Sequence, residues 1–67
     1  MIVEIDTEFI KLDSLLKFSS IAESGGMAKI LIENGEVSVN DEIETRRGRK
    51  VYPGDRVELF DEIIEVR

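Results

Sequence analysis

Four of the nine basic residues of this 67-residue chain fall within five positions, Arg46-Arg47-Gly48-Arg49-Lys50, although the formal net charge is −6. Crowded cations in an acidic protein suit a polyanion, nucleic-acid phosphate first among them. A solvated hairpin tip kept soluble by its charge is the plainer alternative. A second constellation, Ser24-Gly25-Gly26 followed by Lys29, has the makings of a phosphate seat. A helix starting there presents unpaired N–H groups and a partial positive charge. Glycine lets a ligand approach the backbone, and Lys29 lies about one turn further on. A flexible loop with an ordinary Ser cap would explain the same residues.

Other chemistries find little support. The chain has no His and no Cys, so the commonest general base, the commonest zinc ligand and any disulfide are missing. Acid–base catalysis would fall to the fifteen carboxylates, and none is paired with a nucleophile or a metal-ligand set. A non-catalytic protein without metal or cofactor is expected.

Hydrophobic residues make up 42 % of the chain, enough for a folded module stabilised by apolar burial alone. At this size the margin is small, about 3–5 kcal/mol. No apolar run is longer than Ile30-Leu31-Ile32, too short for a membrane span, and Met1-Ile2-Val3-Glu4 lacks the basic region of a signal peptide. The expectation is a cytoplasmic, monomeric protein.

The elements that must position the cations follow from periodicity. Ile2 to Ile5 reads as a strand. Phe9, Leu12, Leu15 and Leu16 recur as one helical face, predicting a helix over Leu12 to Phe18, after which Ser19 and Ser20 loosen the chain. Ser24 opens a second helix with Met27, Ile30, Leu31 and Ala28 inward, and Asn34-Gly35 closes it. About seven residues join the helices, so they should pack together. From Glu36 onward the period is two: Val37 and Val39, a turn at Asn40-Asp41, then Ile43 on the apolar side. Val51-Tyr52, the turn Pro53-Gly54-Asp55, Val57 and Leu59, and finally Ile63, Ile64 and Val66 complete a small antiparallel sheet. The fold class is α+β, two packed helices beside a short antiparallel sheet, in one domain over 1–67. Leu15, Leu16, Ala28, Leu31, Ile32, Val37, Val39, Val57 and Leu59 should form the core.

Charge is segregated along this order. Lys11, Lys17, Lys29, Arg46, Arg47, Arg49 and Lys50, seven of the nine bases, lie on the helices or in the basic run. Residues 30–45 carry five acids and no base. If the basic run folds back beside the helices, one face becomes basic while the outer side of the sheet stays acidic.

The ordered set of Lys11-Leu12-Asp13, Ser24-Gly25-Gly26-Met27-Ala28-Lys29, Ile32-x-x-Gly35-x-Val37-x-Val39-Asn40, Arg46-Arg47-Gly48-Arg49-Lys50 and Gly54-Asp55 resembles the S-four-type RNA-binding domain. That family is named for small-subunit ribosomal protein four. Within it, the pairing of Ser-Gly-Gly-x-Ala-Lys with Arg-Arg-Gly-Arg-Lys is similar to the small stand-alone YaaA/YbcJ-like branch. The resemblance spans about residues 9–60. It implies an αL-type RNA-binding motif, in which two helices and a β-hairpin present a basic face to structured RNA, ribosomal RNA or an assembly intermediate. Carried over, Lys11, Ser24, Gly25, Gly26, Lys29, Arg46, Arg47, Arg49 and Lys50 match the motif's binding side, and Lys17, a base on the first helix, joins them in the expected RNA-binding set. Two positions depart from the pattern: Gly25 stands where many relatives have Arg, and Asn40-Asp41 replaces the usual Asn-Gly turn. The competing function is a small protein-interaction adaptor that uses the acidic sheet face.

Overall fold

The computed structural model describes residues 1–67 as an α+β fold. Chain order is β1 (Ile2–Val3), β2 (Ile10–Lys11), α1 (Leu12–Phe18), α2 (Gly25–Glu33), β3 (Val37–Val39), β4 (Glu42–Ile43), β5 (Lys50–Val51), β6 (Arg56–Leu59) and β7 (Glu62–Val66). Five strands form one sheet in the order β1-β7-β6-β3-β4, and β2 pairs with β5 in a separate ladder. The larger sheet is mixed rather than antiparallel, because β1 runs parallel to β7 with Ile2 opposite Glu65. The expected first strand is shorter than Ile2 to Ile5, and β2 was not foreseen.

Local chemistry sets the ends of both helices. Ser24 caps α2 by accepting from the N–H of Met27 at 3.1 Å. Its other end closes with Gly35 at φ +77°, where Gly35 donates to Ile32 and Glu36 to Leu31. That pair of bonds is a Schellman closure, which satisfies carbonyls the helix leaves over. The end of α1 has the same pattern, with Ser20 donating to Lys17 and Ile21 to Leu16. Ser20 takes the left-handed position, φ 66°, so Ser19-Ser20 closes the helix instead of loosening the chain.

The helices pack together over one face of the sheet. Leu12, Leu15 and Leu16 of α1 and Ala28 and Ile32 of α2 meet Val37, Val39, Val57, Leu59, Ile64 and Val66. Eight of the nine expected core residues are buried, and Leu31 is half-buried against the cluster. Met27 and Ile30, read as inward, are exposed, because Ala28 and Ile32, four positions apart, define the inner stripe of α2.

Ile43 is also exposed. The two-residue turn at Asn40-Asp41, both at positive φ (50° and 71°), sets Val39 opposite Glu42 and Ser38 opposite Ile43. Ile43 therefore shares the outward side of Ser38, in a row that continues through Glu58 to Ile63. Positive φ at both central residues matches the right-handed twist of the strands, and Asn and Asp tolerate it.

Candidate nucleic-acid interface

The basic run is a loop between β4 and β5, which belong to different sheets, and not the tip of a hairpin. Its backbone folds onto the start of α1. The N–H of Leu12 donates to the carbonyl of Arg49 at 2.8 Å, and that of Asp13 to Arg47 at 3.1 Å. The helix has no side-chain cap at Lys11, so the loop's carbonyls satisfy its first donors. This contact brings the basic run beside the first helix. It also makes Lys50 the register partner of Lys11 across the β2–β5 ladder.

Glu44 organises the loop from beneath. It is the one charged residue in the core layer, 7 % exposed. Its Oε1 accepts from Arg46 Nη2 at 3.0 Å and Arg49 Nη1 at 2.9 Å, while Oε2 accepts from the Arg46 N–H and Nε, both at 3.1 Å. These bonds, first from Arg46 and then from Arg49, hold the carboxyl down at about 2 against the opposing effect of burial. A buried carboxylate is tolerable only with such partners. In the sequence Glu44 belongs to the acidic stretch 30–45. Its spacing to Arg46 and Arg49, two and five positions on, was the available signal.

Arg47 and Lys50 are exposed and free of acidic partners. The Lys50 ammonium sits 4.9 Å from the centre of the Phe9 ring, and Phe9 tilts against Tyr52 at 5.8 Å. Phe9 precedes α1 and lies outside its apolar stripe. Phe18 and Phe60 are exposed.

A second group lies at the far end of α1, which at seven residues is about 10 Å long. Lys17 Nζ would stand 3.9 Å from a Cβ added at Gly25, so its side chain lies beside the α2 entrance. The Ser24 hydroxyl is occupied as the cap, whereas the N–H groups of Gly25 and Gly26 have no acceptor in the protein. Nothing in the packing demands glycine at either position: an added Cβ at Gly26 would meet only Ser24 Oγ at 3.9 Å. Lys29 is exposed on α2 without an ion pair.

On the outer face of the sheet Arg56 is held by Asp41 at 2.6 Å and Glu58 at 3.2 Å, and Arg67 by Glu65 at 3.3 Å. Ile2, Ile43 and Ile63 are exposed among them, so that face is acidic and partly apolar. No group of three or more His, Cys, Asp or Glu is placed to hold a metal ion, and no helix is long and apolar enough to cross a membrane.

The family model described as S4 domain matches residues 3–67. A Bacillus subtilis (strain 168) protein named "Probable ribosome maturation protein RlbA" is 53 % identical over 57 residues, covering 85 % of this chain and 80 % of that protein. YbcJ of Escherichia coli (strain K12), which carries RNA binding in its name, is 37 % identical over 57 residues, covering 85 % of this chain and 81 % of its own length.

Proposed function

Because the chain belongs to the S4-domain family, we propose that it is a non-catalytic, cytoplasmic RNA-binding protein acting as a monomer on folded RNA, either ribosomal RNA or a ribosome precursor. The names of its Bacillus and Escherichia relatives support that choice of ligand. The observation that carries it is the basic loop bonded to the head of α1, which sets Lys50 against Lys11. Like charges directly opposite each other weaken a ladder, so an anionic ligand is what makes the pairing useful. The contacts are Lys11, Arg46, Arg47, Arg49 and Lys50 at one end of α1. Lys17, Lys29 and the open N–H groups of Gly25 and Gly26 serve the other end, with Ser24 shaping the entrance.

Reversing Arg47 and Lys50 to Glu tests this reading. Arg46 is left alone, since a carboxylate there would oppose Glu44. The expected result is loss of RNA binding with an unchanged circular dichroism spectrum. A reversed variant that binds RNA as tightly as the parent would reduce the loop to a solubility device. The exposed isoleucines on the acidic sheet face favour a second reading, a protein adaptor. Salt separates the two, because RNA binding weakens steeply as salt rises and an apolar interface does not.

A further inference from the structure

We propose that the concavity beside the basic loop holds one unpaired nucleotide of a folded RNA, its base stacked on Tyr52 and its phosphates between Arg46 and Lys50. The proposal rests on the RNA-binding reading above. The concavity has a volume of about 470 Å³ and is lined by Arg46, Gly48, Arg49, Lys50 and Tyr52. Sites for small ligands run from about 300 to 1,000 Å³.

Its lining is more than a phosphate track needs. A groove that follows a duplex backbone calls for cations alone, yet here an aromatic ring, 40 % exposed, stands in the wall. The face of a ring is matched by the face of a base, and a base presents its face only when it leaves the stack. The main chain that carries the ring is fixed by the turn that follows it. The Tyr52 N–H donates to Asp55 Oδ2 at 2.8 Å, and its carbonyl accepts from the Asp55 N–H at 2.9 Å across Pro53-Gly54. Gly54 at φ +99° suits the third position of that turn, which a side chain would strain. Phe9 supports the ring at 5.8 Å and carries the Lys50 ammonium on its own face at 4.9 Å. A platform fixed before binding loses little freedom when a base lands on it.

The charge fits as well. Arg46 and Arg49 with Glu44 between them carry one net positive charge, and Lys50 adds a second. Two positive charges match the phosphodiesters on either side of a single nucleotide. Gly48 has nothing within 4 Å of the place a Cβ would occupy, so the backbone there is open to the strand.

Two hairpins of one stem sequence provide the test, one fully paired and one with a single bulged 5-iodouridine. Affinity is measured for the parent, Tyr52→Phe and Tyr52→Leu, with melting temperatures, and photocrosslinks are mapped by mass spectrometry. The parent should prefer the bulged hairpin by about 5- to 150-fold, the range for stacking one base. The crosslink should fall on Tyr52. Tyr52→Phe should keep the preference and Tyr52→Leu should lose it, while both bind the paired hairpin like the parent. Equal binding of the two hairpins by the parent overturns the nucleotide site and leaves the RNA-binding reading standing. The site is likewise overturned if Tyr52→Leu weakens both hairpins equally along with stability, since the ring would then only brace the β2–β5 ladder. Displacement of the crosslink by free uridine monophosphate as effectively as by unlabelled bulged hairpin would make it a free-nucleotide site instead. Failure of the parent to bind either hairpin sinks both readings.

Discussion

Lys11 and Lys50 are register partners in a ladder only two residues long on each strand, and both are exposed. Lys50 has the Phe9 ring beneath its ammonium, whereas Lys11 has no acidic partner. Removing one charge should therefore move stability and function in opposite directions. Lys11→Gln is expected to raise the free energy of unfolding by about 0.2–1 kcal/mol, the size of a cross-strand pair effect. The same variant should bind RNA more weakly. Thermal melting and a binding titration on one sample check both signs, and a stability loss would mean that the lysine stem is needed for packing.

Glu44 gives the fold a pH dependence of known sign. Its carboxyl titrates at about 2 in the folded protein against an ordinary 4.5, because Arg46 and Arg49 stabilise the charged form. A depressed carboxylate contributes stability that is fully present above about 4.5 and is lost as pH falls toward 2. Glu44→Gln should remove that part of the acid dependence and lower stability near neutral pH by about 1.5–3 kcal/mol, the range for hydrogen bonds to charged groups. Urea melts between pH 2 and 7 measure the difference. An unchanged acid limb would assign the dependence to other carboxylates.

Gly26 offers another pair of opposed signs. An added Cβ there finds room, so Gly26→Ala should leave the fold intact or stabilise it by up to about 1 kcal/mol, as glycine in a helix costs backbone entropy. If RNA approaches the open N–H groups closely, affinity should fall for Ala and further for Val. Val also stiffens the backbone, so its melting temperature belongs in the same experiment. Unchanged affinity in both variants would return the glycines to the role of a plain helix entrance.

The sequence made the local features legible and hid the long-range ones. The span of α1, the Ser24 cap and the Gly35 stop are each set by neighbours within one turn, and the α+β class follows from a change of period at Glu36. The β2–β5 ladder joins Lys11 to Lys50, residues far apart in the chain, through strands too short to show alternation. Docking of the basic loop depends on that same pairing, so the proximity of its cations to α1 could only be stated as a condition. Alternation continued across the turn at Asn40-Asp41 puts Ile43 on the apolar side, whereas the two-residue loop there sets it opposite Ser38, facing outward. Glu44 was counted as one acid among many because its partners lie on its C-terminal side, inside a segment read as uniformly basic.

The inner stripe of α2 yields a graded stability test. Ile32 is fully buried and Leu31 half-buried, packed on the edge of the core. Ile32→Ala should cost about 2–5 kcal/mol and leave so small a domain largely unfolded at room temperature. Leu31→Ala should cost less, and Ile30→Ala, at an exposed site, within about 0.5 kcal/mol. Denaturant melts that reverse the order of Ile32 and Ile30 would show α2 to be rotated from the position described.

The salt dependence of binding counts the cations in use. Of the seven bases on the proposed face, Arg46 and Arg49 already share Glu44, leaving Lys11, Lys17, Lys29, Arg47 and Lys50 without an acidic partner. Each base that meets a phosphate releases condensed counterions, and the log of affinity falls with log salt by roughly 0.7 to 0.9 per contact. Five contacts then predict a slope of roughly 3.5 to 4.5. Replacing one unpaired base, Lys29→Ala or Arg47→Gln, should flatten it by about one contact, and Arg46→Gln by less. With one ring in the groove and no longer stacking platform, a folded ribosomal RNA hairpin should outcompete a poly-U strand of equal length. A slope near zero would mean that the cations are not what holds the RNA, and equal binding of poly-U, or preference for it, would count against recognition of a folded shape.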